Sequence, residues 1–200
     1  MISGALRGAA ARGGLLALLT VGCSEATQTV PGETGDSKSE ALEDVSHWTT
    51  VAPMREARNW HTATLLQSGK VLVVGGAIGL VDAELYDPDA DGWSDAAPLL
   101  KGRYAHTATL LAEGKVLVAG GTPAVESAEL YDPVADEWKS AGTLRDARLQ
   151  HSATLLLDGS VLVAGGEQSG GGEIARAERY NPGLSAWEAA GELQQGRIEF

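Results

Sequence analysis

Arg58-Asn59-Trp60-His61-Thr62-Ala63-Thr64-Leu65-Leu66 returns as Arg103-Tyr104-Ala105-His106-Thr107-Ala108-Thr109-Leu110-Leu111, and again as Arg148-Leu149-Gln150-His151-Ser152-Ala153-Thr154-Leu155-Leu156. The step is 45 residues both times. Each copy runs on into an apolar stretch closed by two glycines, Val71-Leu72-Val73-Val74-Gly75-Gly76, Val116-Leu117-Val118-Ala119-Gly120-Gly121 and Val161-Leu162-Val163-Ala164-Gly165-Gly166. Then come Ala83-Glu84-Leu85-Tyr86-Asp87-Pro88, its copy at 128–133 and, after a four-residue insertion around 170–173, Ala177-Glu178-Arg179-Tyr180-Asn181-Pro182. A tryptophan stands seven residues beyond each tyrosine: Trp93, Trp138 and Trp187. Four short apolar runs bounded by turn residues predict four strands per unit. So small a sheet cannot bury both its faces alone, so the units must stack on one another.

A period of 45 with four strands predicts an all-β fold, a β-propeller whose sheets are radial blades. The paired glycines, the tyrosine and the tryptophan, in the absence of a Gly-His and Trp-Asp signature, make the unit resemble the kelch repeat over about residues 48–197. Gly75, Gly76, Gly120, Gly121, Gly165 and Gly166 read as positions where a Cβ would clash or φ is positive. Tyr86, Tyr131 and Tyr180, with the tryptophans, read as packing faces between blades whose OH and NH groups hydrogen-bond at the rim. Asp87-Pro88, Asp132-Pro133 and Asn181-Pro182 stop the third strand.

Trp48 precedes Trp93 by 45 residues, so 47–57 reads as an orphan fourth strand lacking its first three. In propellers of the kind it resembles, such a strand completes the last blade. Repeats then occupy 58–102, 103–147 and 148–196, and 197–200 opens a further one at Arg197. Rings need about four to eight blades. The expectation is a partial kelch-type propeller of three four-stranded blades plus one N-terminal outer strand, with open apolar faces at both ends. It is expected as a truncated frame, a fragment, or a protomer that self-associates through its open blade edges.

Before the repeats, Arg7 and Arg12 lead into the apolar run 13–21 and then Gly22-Cys23, the layout of a signal peptide and too short for a membrane span. The ending resembles a bacterial lipobox, with Thr20 where Leu is usual, which implies lipidation of Cys23. Cys23 is the only cysteine, so no disulfide forms within the chain. Residues 24–46, rich in Ser, Thr, Glu, Gly and Asp, read as a flexible tether. The chain is thus expected to be exported and lipid-anchored to a bacterial membrane. Ser24, by resemblance to sorting rules that retain proteins bearing Asp there, points to the outer membrane or cell surface. The formal charge of -12, with 15 basic residues forming no stripe, excludes a nucleic-acid surface.

No catalytic set stands out from the repeats. His61, His106 and His151 recur identically, as packing demands, and no accompanying ligands suggest a metal. Arg58, Arg103 and Arg148 read as structural, with carboxylate partners the sequence does not name. Some kelch propellers belong to copper-radical oxidases resembling galactose oxidase, which use a cysteine-crosslinked tyrosine; with Cys23 in the export signal, no cofactor is expected. Ser169-Gly170-Gly171-Gly172 opens no helix and reads as an insertion, not a phosphate loop. Function is expected where the copies differ: Asn59-Trp60, Tyr104-Ala105 and Leu149-Gln150 at one channel mouth, and the loops 77–81, 122–125 and 167–174. Asn59, Trp60, Tyr104 and Gln150 are the candidate ligand-binding residues, the two aromatics first. The expected role is a binding scaffold for a protein or glycan; the alternative is a piece of a secreted oxidase or hydrolase whose catalytic residues lie in other blades.

Overall fold

The computed structural model describes residues 49–76, 80–123 and 126–198. Cys23, the 24–46 tether, Trp48 and Glu199-Phe200 lie outside the described residues. Among those described there are twelve strands and no helix. The first blade is β1 (Thr62–Leu65), β2 (Val71–Val74), β3 (Ala83–Asp87) and β4 (Gly92–Ala96). The second is β5 (Thr107–Leu110), β6 (Val116–Ala119), β7 (Ser127–Asp132) and β8 (Glu137–Thr143); the third is β9 (Ser152–Leu155), β10 (Val161–Ala164), β11 (Arg176–Asn181) and β12 (Ala186–Glu192). Each is an antiparallel meander in chain order. The molecule is a partial all-β propeller.

Register repeats with the sequence. Val71 pairs with Tyr86, Val116 with Tyr131 and Val161 with Tyr180. Each tyrosine then pairs with its tryptophan, with ring centroids 5.1, 4.9 and 5.3 Å apart. Period-two alternation turns successive side chains to opposite neighbours. Leu72, Val74, Ala96 and Leu99 of the first blade meet Val116, Val118, Tyr131 and Trp138 of the second. Leu117, Ala119, Ala141 and Leu144 of the second meet Val161, Val163 and Tyr180 of the third. The core therefore lies between sheets, and β1, β5 and β9 run side by side.

Tryptophan nitrogens lock the rims. Trp138 Nε1 donates to Ala97 O at 2.8 Å and Trp187 Nε1 to Ala141 O at 2.9 Å, each reaching the blade before its own. Tyr86 and Tyr131 donate their hydroxyls to Asp91 and Asp136 at 2.9 and 2.8 Å. Ser185 holds that place in the third blade, and Tyr180 Oη is buried without a partner.

Both ends were expected to be open, and they differ. At the far end Leu162 and Ala164 are half-buried, whereas their counterparts Leu117 and Ala119 are each 1% exposed. At the near end residues 49–57, expected as an outer strand, form no strand; among the described residues no third strand lies beside them to pair with. They nevertheless hold an outer strand's contacts: Trp93 Nε1 donates to Ala52 O at 2.7 Å, Ala52 N to Asp91 Oδ1 at 3.1 Å, and Arg55 N to Glu84 Oε2 at 2.9 Å. The near face is partly closed by the chain itself.

The paired glycines divide their work. The first faces the next blade: a Cβ on Gly120 would lie 2.5 Å from Arg148 O and 2.7 Å from His151 Cε1. The second faces its own blade's entry loop, where a Cβ on Gly121 would lie 2.6 Å from Tyr104 O. Gly159 shares the positive φ of Gly120 (82° against 65°), yet nothing lies within 4 Å of its would-be Cβ. Gly159→Ala should cost only left-handed backbone strain, about 1–2 kcal/mol. Gly120→Ala should lose a further ~1–3 kcal/mol to overpacking at the blade interface. Urea unfolding of the two variants checks this; equal losses would mean the close approach is relieved for free.

Candidate binding mouth at the strand-entry loops

The loop entering each blade is held by a buried arginine. Arg103 Nη2 meets Glu129 Oε1 at 2.6 Å, and its Nη1 donates to the carbonyls of Gly120 and Ser127, both at 2.7 Å. Arg148 repeats this with Glu178 at 2.9 Å and the Gly165 and Arg176 carbonyls at 3.0 Å. Arg58 repeats it with Glu84 at 2.5 Å and the Gly75 and Asp82 carbonyls at 2.9 and 3.0 Å. All three arginine side chains are 0% exposed and their glutamates at most 4%. The glutamate also accepts backbone N–H groups of the entry segment: Leu100 and Lys101 for Glu129, Arg145 and Asp146 for Glu178. One carboxylate thus neutralises the guanidinium and fixes the loop's path over the third strand. Burial pulls the Arg103 guanidinium below its ordinary pKa, against the opposing pull of Glu129.

Three residues on, the histidines join blades. His106 Nε2 lies 2.9 Å from Thr62 Oγ1, and His151 Nε2 lies 3.0 Å from Thr107 Oγ1. Their Nδ1 atoms are buried without partners. The bonding pattern assigns the proton to Nε2, donating to the hydroxyl, which leaves no N–H stranded. Burial, and then the charge of Arg103 or Arg148, pushes both pKa values down to about 3. Among the described residues no group of three or more His, Cys, Asp or Glu is placed to hold a metal ion.

Between arginine and histidine lie the positions at which the copies differ. Trp60, Ala105 and Gln150 all take left-handed backbone, with φ of 57°, 53° and 51°. Ala105 N donates to Trp60 O and Gln150 N to Ala105 O, both at 3.0 Å, so the three positions follow one another around the mouth. Trp60 is 56% exposed there, Asn59 is exposed and Gln150 half-buried. Tyr104 is half-buried one step back, its backbone paired both ways with Thr122 at 3.0 Å, as Leu149 is with Glu167. The structure thus sets Trp60 and Gln150 in one row and puts Tyr104 in the adjoining bridge.

The third-blade insertion edges the same mouth. Glu167 bridges to Glu173, Gln168 N donates to Gly172 O at 3.1 Å, and Gly170, Gly171 and Gly172 all have positive φ. At the opposite end of the blades, Gln67, Glu113, Lys115 and Val134 line an open groove between the first two blades. Lys115 is there paired with Asp132 at 3.4 Å.

No family model matches the chain, and no curated protein matches it. A solved structure described as a novel fungal alcohol oxidase with catalytic diversity among the AA5 family, in complex with copper, is similar at a TM-score of 0.57 and 22% identity. The match covers 70% of this chain and 32% of that one, so the chain spans about a third of that protein's length. At this identity the likeness is one of fold.

Burial decides what each of these groups costs to alter. Glu129→Gln leaves Arg103 buried and uncompensated and should cost about 3–5 kcal/mol. Asp95→Asn, at the exposed Arg55–Asp95 pair, should leave the urea midpoint unchanged within error. For His106 and His151 the folded pKa lies below the unfolded one, so the unfolded chain binds more protons and stability rises with pH. The contribution is complete above about 6.5, the ordinary histidine value, and is lost progressively toward 3. Urea unfolding at pH 7, 6 and 5 should lose up to roughly 1.4 kcal/mol per pH unit for each histidine below 6.5. A flat profile between pH 6 and 5 would show that these imidazoles are not held neutral.

Proposed function

We propose that this chain is a membrane-tethered propeller scaffold that binds a protein or glycan outside the cytoplasm through its strand-entry mouth. One observation carries the reading: Trp60 exposes 56% of its surface from a left-handed backbone position that Asn or Gly would occupy at less cost. An indole kept exposed at such a position gives a large, stiff contact face. The repeated Arg58, Arg103 and Arg148 are engaged with glutamates, and His106 and His151 with threonines. The tether in this proposal is lipidated Cys23, followed by 24–46, with the outer membrane or cell surface as the site.

A second reading, that the chain is a piece of a secreted propeller enzyme, draws on the likeness to the alcohol oxidase fold. The described residues do not fit the copper of that neighbour: they bring together no cluster of metal ligands, and His106 and His151 have their Nε2 atoms engaged between blades. In this reading the chemistry belongs to other blades.

Trp60→Asn separates a binding role from a packing one. The variant should fold with equal or slightly higher stability and lose at least tenfold of the wild-type signal on a glycan array or on immobilised envelope proteins. Empty arrays for the wild type, or a variant that binds equally well, would sink the proposal.

A further inference from the structure

The end of the blades away from the mouth carries most of the exposed apolar surface. Each blade is an antiparallel meander, so the β1–β2 and β3–β4 turns and their copies lie at one end, opposite the entry loops. Among the described residues nine large apolar side chains are exposed, and six stand at this turn end: Val51, Leu65, Val134, Leu155, Leu157 and Leu184. Four of them (Leu65, Val134, Leu157 and Leu184) are more exposed than any of the three at the mouth. Lack of a neighbouring blade is not the cause, since Val134 is 96% exposed on the second blade, which packs against a blade on either side.

The turns hold these side chains out from a fixed backbone. Val134 N donates to Asp132 Oδ1 at 3.0 Å and Leu184 N to Asn181 Oδ1 at 3.3 Å. Leu157 tips a turn closed by Leu156 N to Ser160 O at 2.8 Å and Gly159 N to Leu156 O at 3.0 Å. The cations around them are occupied: Lys70, Lys115 and Arg179 pair with Asp87, Asp132 and Asp158 at 3.0, 3.4 and 3.6 Å, and Lys139 pairs with Glu137. Asp89 and Glu113 are exposed beside them, so this end suits a neutral surface better than an anionic one.

The chain also enters from this end. Ala52 meets Asp91 and Trp93 beside the β3–β4 turn, Arg55 meets Glu84 and Asp95 farther along β3 and β4, and Arg58 opens the first blade at the mouth. Residues 52–58 therefore climb from the turn end to the mouth, and Cys23 precedes Thr49 by only 26 residues. We propose that, with the chain anchored at Cys23 as in the reading above, the turn end docks on a zwitterionic lipid surface through Val134, Leu157 and Leu184, and the mouth faces away from it. Three such side chains would hold a free chain to lipid weakly. Anchoring makes the same contact intramolecular, at the high effective concentration that a short linker sets. Trp60, at the other end, is then left open to ligands in the medium.

The test couples the full chain through Cys23, its only cysteine, to maleimide-bearing phosphatidylcholine vesicles or to a small soluble maleimide, and compares amide hydrogen exchange. On vesicles, exchange at 134–136, 157–159 and 183–185 should slow at least threefold while 59–60, 104–105 and 149–150 stay unchanged. A variant carrying Val134→Asp, Leu157→Asp and Leu184→Asp, all at exposed positions, should couple equally, keep its urea midpoint and lose the slowing. Replacing a third of the phosphatidylcholine by phosphatidylglycerol should weaken it. Turns that exchange equally in both states, or slowing at the mouth instead, would overturn the docking. So would a soluble chain that sediments as a dimer with the turns already protected, since a second copy would then hold this end. The anchor is read separately, by mass spectrometry of Cys23 in cell membranes: an unacylated cysteine overturns the tether, whereas unprotected turns on vesicles overturn the docking alone.

Discussion

The buried ion pair that each blade makes between its entering arginine and its third-strand glutamate is the constraint on which the other features rest. A blade is a meander whose strands hydrogen-bond among themselves, but nothing in a meander says where the chain crosses to the next sheet. The Arg103–Glu129 contact does. It clamps the crossing segment to the third strand while the guanidinium's other nitrogen bonds the carbonyl that closes β6 and the one that opens β7. Removing two charges from water is expensive, and such a pair gives little net stability relative to an apolar substitute. Its value here is geometric, because the N–H donors of a rigid fork hold the Glu129 carboxylate and the flanking backbone carbonyls at fixed angles.

From that clamp the remaining contacts follow in order. A fixed arginine backbone carries its carbonyl to within hydrogen-bond reach of the preceding blade's second glycine, and so close to the first that a side chain there is excluded. Three residues later the histidine is delivered to the preceding blade's threonine. The turn between the two is tight enough to force positive φ on whatever residue occupies it, which is why Trp60, Ala105 and Gln150 share a backbone conformation and little else. The mouth is therefore rigid in backbone and free in side chain, a suitable arrangement for a surface whose chemistry varies.

Much of this was legible in the sequence, for a physical reason. Strand, turn and inter-sheet packing depend on short-range patterns, and a pattern repeated at a fixed step shows itself without any structure. The apolar run Val116-Leu117-Val118-Ala119, the packing faces of Tyr131 and Trp138 and the crowding at Gly120 were all readable in this way. The glutamates were not, although Glu84, Glu129 and Glu178 recur as faithfully as the arginines do. A charged residue in a strand reads first as solvent-facing, and only the fold shows that 26 residues on from Arg103 the chain is back beside it. The left-handed turn was hidden too, since Trp, Ala and Gln carry no preference that would betray it.

The ends of the arc show where repetition stops being informative. Translation by 45 residues predicts equal faces at both ends, and the structure makes them unequal because 49–57 lacks a sheet yet keeps an outer strand's partners. Trp93 and Glu84 find in Ala52 and Arg55 what Trp138 and Glu129 find in Ala97 and Leu100. Contacts rather than strand pairing therefore define membership of a blade: a segment with no ladder of its own satisfies the rim tryptophan and the buried glutamate. At the far end the reverse holds. The β12 ladder is complete and Arg197 O is seated on Gly166 N, yet Leu162 and Leu193 stay half-buried where the third blade covers their counterparts Leu117 and Leu144.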